Sequence, residues 1–200
     1  MQISKNHTCQ SQENRSGAYA TKEDFCRIFS EEMNSLYSLS LLLTADHKNA
    51  EQCFVTGIEE CSAGRPIFKQ WAHSWTRRII IQAAIRMISP REDPTRESAA
   101  VAVTGVVAEH SENDVFLLAI TQLPSFERFV FVMSALERYS DQDCCVLLGC
   151  SCRELVDARM HALELLLTFH SRSLRCSEPN QFTRAVAELQ KSIIASDESL

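Results

Sequence analysis

The stretch LPSFERFVFVMSALERYSDQDCCVLLGCSCRELVDARMHAL, residues 123–163, carries two helix signals separated by a glycine and decides how the second half of the chain folds. Ser140 stands where a side-chain oxygen can accept from the otherwise unpaired N–H groups of a first helix. Cys145 takes the small position within that helix, Gly149 falls at the turn, and Ser151 caps a second helix. Cys144, Leu148, Cys150, Leu155 and Ala158 are the apolar residues that press the two helices together. Two arrangements satisfy this pattern. One is a helical hairpin in an ordinary bundle, since Gly followed by a capping Ser is a common helix junction. The other is a helix-turn-helix whose second helix presents Ser151, Cys152, Arg153, Val156, Asp157 and Met160 outward.

Working outward, the same helical period governs the rest of the chain. Thr21, with Asp24 three residues on, can cap a helix whose apolar stripe is Phe25, Ile28, Phe29, Met33, Leu36, Leu39 and Leu43, ending near Thr44. Asp46 can cap a second helix carrying Ala50, Phe54 and Ile58, with Cys53 and Cys61 beside them. After Gly64 and Pro66, IFKQWAHSWTRRIIIQAAIRMI runs without a breaker to Ser89-Pro90 as a third helix. Only five Gly and five Pro occur in 200 residues, and no hairpin signal is present, so the expected class is all-α: two small helical domains joined by a linker. The expected boundaries are a flexible tail over residues 1–20, a helical domain over 21–89 and a linker over 90–113. A second domain, opened by Asn113 as a cap, covers 114–170, and an extension over 171–200 has one amphipathic helix near Phe182 to Ile194.

Composition narrows the function classes. A formal charge of −6 argues against a protein that coats nucleic acid nonspecifically, because neutralising phosphates supplies most of that affinity. Any nucleic-acid contact must come from a local basic patch. Residues 65–91 offer one, with Arg65, Lys69, Arg77, Arg78, Arg86 and Arg91 and no acidic residue. Phe68, Trp71 and Trp75 interleave with these charges, as where unpaired bases stack on rings beside a positive groove. The same residues, with Ala72 and Ile79, also make a plain core stripe, which would place at least one tryptophan in the core. Residues 123–170 hold four Lys or Arg against seven Asp or Glu, a poor attractor of phosphate.

Other chemistry is not indicated. The nine cysteines are odd in number and irregularly spaced, which favours reduced thiols serving mostly as small core residues. The CC-x4-C-x-C spacing of Cys144, Cys145, Cys150 and Cys152 is not the paired CxxC pattern of structural zinc sites, so no metal is expected. His47, His73, His110, His161 and His170 are scattered, and no metalloprotease, nucleophile-elbow or phosphate-loop pattern occurs. Neither an enzyme nor a cofactor is therefore expected. The opening residues lack the apolar core of a signal peptide, and there is no run of about eighteen apolar residues, which points to the cytoplasm and away from a membrane.

LYSLSLLLTADHKNAEQCFVTGIEEC (36–61) followed by FKQWAHSWTRRIIIQAAIR (68–86) resembles region two of ECF-type sigma factors, in which an LTxDxxxAE segment precedes a WLxxIARN-like helix. Residues 123–163 resemble region four of the same family, including the opening Leu-Pro, the ERxVFxM helix and the LLGCS turn. The two segments come in the family's order, with a linker between them.

The resemblance implies a factor that directs bacterial RNA polymerase to promoters and assists melting. By that likeness Asn49, Glu51 and Gln52 would meet the polymerase beta-prime subunit. Trp75, Arg77, Arg78 and Arg86 would face the melting promoter element, and Ser151, Cys152, Arg153, Asp157 and Arg159 the distal one. The implied partners are core polymerase, promoter DNA and an anti-sigma factor. The chain departs from the family where Val156 and Ala158 stand in place of Lys or Arg, and where SWTRR replaces the IARN stretch. Two alternatives therefore stay open: a sigma-like interaction module or antagonist that binds polymerase or a partner without reading DNA, and a stand-alone helix-turn-helix regulator.

Overall fold

A computed structural model of the chain describes residues 18–63, 66–91 and 112–173. Apart from short connections and an isolated bridge between Tyr19 and Phe68, the described residues are helical, and the fold is all-α. The chain divides at Met87 and Ile88 into two compact units. The expected linker lies, over residues 92–111, outside the described residues, as does the amphipathic segment near Phe182 to Ile194.

In the first unit Thr21 opens α1 (Lys22–Glu31) with a reciprocal cap. Its Oγ1 accepts from the Asp24 N–H at 3.2 Å, and Asp24 Oδ2 accepts from the Thr21 N–H at 2.9 Å. The single helix expected through Thr44 is two, because the backbone bends at Glu32 (φ −103°, ψ 15°) before α2 (Met33–Thr44). The bend redirects the apolar stripe. Phe25, Ile28 and Phe29 are buried before it and Leu36, Leu39 and Leu43 after it, while Met33, expected inside, is 55% exposed.

Inside α2, Ser40 Oγ donates to the Leu36 carbonyl at 3.0 Å and Thr44 Oγ1 to the Ser40 carbonyl at 2.9 Å, so both buried hydroxyls are satisfied. Asp46 caps α3 (His47–Ser62), accepting from the Asn49 N–H at 2.9 Å. The buried face of α3 is Ala50, Cys53, Gly57 and Cys61, while Phe54 and Ile58 sit half-buried on its flank. A Cβ at Gly57 would come within 3.0 Å of Ile80 Cγ1, so the missing side chain is what lets the fourth helix approach. Cys53 Sγ donates to the Ile80 carbonyl at 3.4 Å across this contact.

The expected continuous helix from Ile67 begins later. Residues 18–20 pair antiparallel with 67–69, through Ala20 N–H to Ile67 O at 2.7 Å and Lys69 N–H to Ala18 O at 3.0 Å. The end of the expected tail is thus part of the fold. A 3-10 turn (Lys69–Trp71) follows, then α4 (Ala72–Ile88), which buries Ala72, Thr76, Ile79, Ile80, Ala83 and Ala84. Trp71 lies on the 3-10 turn and is 57% exposed; Trp75 is half-buried. Neither tryptophan reaches the core, because the turn offsets Trp71 and the inward face runs through Ala72 and Thr76 instead.

The second unit begins with α5 (Glu112–Thr121), in which Asn113 is the second residue and not the cap. α6 (Ser125–Phe131) follows Pro124 and passes into a π-helical turn over Val132–Leu136, where the Glu137 N–H reaches the Val132 carbonyl at 2.9 Å. Arg128 is buried here. Its Nη1 donates to the Leu123 carbonyl at 2.8 Å and, more weakly, to that of Thr121 at 3.4 Å, satisfying backbone at the end of α5. Burial brings the Arg128 guanidinium down to about 10. α7 (Asp141–Leu148) and α8 (Cys152–Ser173) complete the unit, with α8 packing on α5, α6 and α7. Phe129, Phe131, Met133, Leu155, Leu163 and Leu166 are fully buried, each contributing about 2 kcal/mol by area transfer.

Candidate nucleic-acid interface

The pair α7–α8 has the local geometry that its sequence implies. Ser140 accepts from the Asp143 N–H at 3.1 Å, Gly149 adopts φ 68°, ψ 34°, and its N–H reaches the Cys145 carbonyl at 2.9 Å. Ser151 and Glu154 form a second reciprocal cap. Glu154 Oε2 accepts from the Ser151 N–H at 2.6 Å and Ser151 Oγ from the Glu154 N–H at 3.2 Å. The backbone hydrogen bond from Ser151 holds the Glu154 carboxyl below the usual range. Cys144, Leu155 and Ala158 are buried between the helices; Leu148 and Cys150 are half-buried.

Of the residues expected to read the distal element, Ser151, Cys152, Arg153 and Asp157 share the exposed start of α8. The Arg153 side chain is 92% exposed and lies 3.9 Å from Asp157, a distance at which a solvated pair holds it only weakly. Arg159 is different. Its side chain is 13% exposed and ion-paired with Asp141 of α7, while its buried Nε has no hydrogen-bond partner. Arg159 therefore braces the two helices and does not belong to the exposed face.

The basic segment is redistributed in three dimensions. Lys69 pairs with Asp24 at 3.2 Å, Arg77 with Glu32 at 3.6 Å and with Ser35 Oγ at 3.0 Å, and Arg86 with Glu60. Arg77 is thus anchored at the α1–α2 bend and Arg86 on α3, so the two do not form one surface. Arg78 is half-buried on the same helix. Trp75 lines a cleft of about 250 Å³ with Glu60, Ala63 and Ile79. The exposed aromatic surface is instead built from Tyr19, Phe68 and Trp71, with Tyr19 stacked on Phe68 at 4.7 Å and Phe68 edge-on to Trp71 at 5.3 Å. Tyr19 stands far from both partners in the sequence, and no local spacing signals its part.

Glu51 and Gln52 are exposed near the start of α3, with Val55 exposed beyond them; Asn49 is half-buried and its N–H is used in the Asp46 cap. Burial pushes the thiols of Cys53, Cys61 and Cys144 up to about 11, which suits the expected core role. Cys26 and Cys152 are exposed, and Cys145 and Cys150 half-buried. Among the described residues no group has the make-up of a metal site, and no helix is long and apolar enough to cross a membrane.

Fold and site define a class: an all-α chain with two compact units, the second carrying two capped helices joined at a left-handed glycine, the start of the later helix presenting an exposed, weakly charged face. No family model, curated protein or solved structure matches the chain.

Proposed function

We propose that the chain is a sigma-like transcription initiation factor that binds core RNA polymerase and addresses promoter DNA. The observation that carries this reading is the α7–α8 turn. Both helices are capped, the Gly149 turn is left-handed, and Ser151, Cys152 and Arg153 stand exposed where the second helix of a helix-turn-helix meets base edges. The exposed residues Glu51, Gln52 and Val55 on α3 support a polymerase-docking face. In this mechanism no bond is made or broken. Polymerase supplies most of the affinity, and few base contacts supply the choice of promoter, in keeping with a net charge of −6.

A second reading is favoured by the ion pairs. Lys69, Arg77, Arg86 and Arg159 are each matched by a carboxylate, which leaves less positive potential for phosphates than the sequence implies. That suits a sigma-like antagonist that occupies polymerase without reading DNA. Association with core polymerase, measured by sedimentation of the full chain, tests the common part of both readings. Binding that is weakened about tenfold or more by the exposed substitution Glu51→Arg is expected, and absence of binding would remove both.

A further inference from the structure

The turn between α7 and α8 concentrates thiols. Cys145 Sγ, on α7, donates toward Cys152 Sγ at 3.6 Å; Cys152 is the first residue of α8 and is exposed. The Cys150 N–H, in the turn itself, reaches the Cys145 carbonyl at 3.1 Å. The 3.6 Å contact makes Cys145 and Cys152 a thiol pair. The buried thiols Cys53, Cys61 and Cys144 lack access to solvent and oxidants.

We propose that Cys145 and Cys152 are a thiol-modification site, closed by peroxide into a reversible disulfide that staples the turn of the helix-turn-helix. A disulfide requires the sulfurs to stand about 2.05 Å apart. The pair must therefore approach by about 1.5 Å, a movement available to side-chain rotation at Cys145 and at the terminal residue of α8.

The order of events follows from exposure. Cys152, as the thiolate, attacks a peroxide oxygen, breaking the O–O bond and giving a sulfenic acid and hydroxide. The Cys145 sulfur then displaces hydroxide from that sulfenic sulfur, forming the S–S bond. Both thiol protons leave with the two oxygens, as two waters when the oxidant is hydrogen peroxide, and a thiol reductant reverses the bond by exchange. Burial, then the neighbouring thiols of Cys152 and Cys150, push the Cys145 thiol up, which disfavours it as the sulfur that meets peroxide first; it gives up its proton as it attacks the sulfenic sulfur.

The bond joins residues 145 and 152 across Gly149 and takes the Cys152 thiol out of the set of groups that the exposed start of α8 offers to DNA. That last consequence rests on the proposed function; the bond itself does not.

The test uses the full chain without DNA or polymerase, so that its failure is distinct from failure of the functional reading. The chain is treated with hydrogen peroxide, remaining thiols are alkylated, and peptides are mapped, with Tm recorded before and after dithiothreitol. The expected result is a Cys145–Cys152 bond within one chain and an upward shift of Tm that dithiothreitol reverses. Both should be absent in Cys152→Ser, an exposed position whose loss should not impair folding, and both should be kept in Cys144→Ser. A bond that uses any other cysteine, a purely intermolecular bond, or a Tm shift that survives in Cys152→Ser would overturn the proposal.

Discussion

Two of the left-handed residues among those described, Gly149 and Ala45, make opposite use of the same backbone conformation. Gly149 (φ 68°) has no neighbour within 4 Å of where a Cβ would stand, so Gly149→Ala meets only backbone strain and should cost about 1 kcal/mol. Ala45 (φ 56°) ends α2 in the same region with a Cβ already present, so Ala45→Gly should be neutral or stabilise by up to about 1 kcal/mol. Urea unfolding of both variants checks the pair, and a loss of stability in Ala45→Gly would contradict it. Asp24 supplies a pH test. The backbone hydrogen bond from Thr21, then the side-chain contact with Lys69, hold its carboxyl at about 2 against 3.8 for the free group. Because the folded value is depressed, the stabilisation is complete above about 4 and is lost as pH falls through about 2. A carboxyl NMR titration should show that midpoint, moving upward in Lys69→Ala.

At the scale of the element, the close contact of α3 with α4 depends on Gly57. Gly57→Val should overpack Ile80 and Phe29 and destabilise the first unit by about 1–3 kcal/mol, measured by thermal unfolding; an unchanged Tm would show that the helices can separate freely. Helix starts were legible in the sequence at Thr21, Asp46, Ser140 and Ser151 because a cap is a contact between residues three apart. The bend at Glu32 was not, since the hydrophobic period continues through it and its side chain pairs with His73 and Arg77, some forty residues away. The same limit applied to the tryptophans. A stripe through Phe68, Trp71 and Trp75 is apolar at helical spacing, but the pairing of residues 67–69 with 18–20 delays the helix and turns Trp71 outward.

For the whole molecule, the lesson lies in its charges. A run from Arg65 to Arg91 without a carboxylate reads as a basic surface, yet Asp24, Glu32 and Glu60 arrive from other helices and pair with Lys69, Arg77 and Arg86. Local composition cannot show which distant carboxylates a fold will bring alongside. Among the described residues of the α8 face, Arg153 is exposed and cationic, and the proposed promoter discrimination would fall there. The most direct test is reconstituted transcription with bacterial core polymerase on genomic fragments, comparing the native chain with Arg153→Glu. The proposed role of Arg153 predicts discrete transcripts with the native chain and a loss of about tenfold or more with the variant, the effect of about 1–3 kcal/mol carried by one charged contact. Discrete transcripts of equal strength with both chains, or none with either, would contradict it.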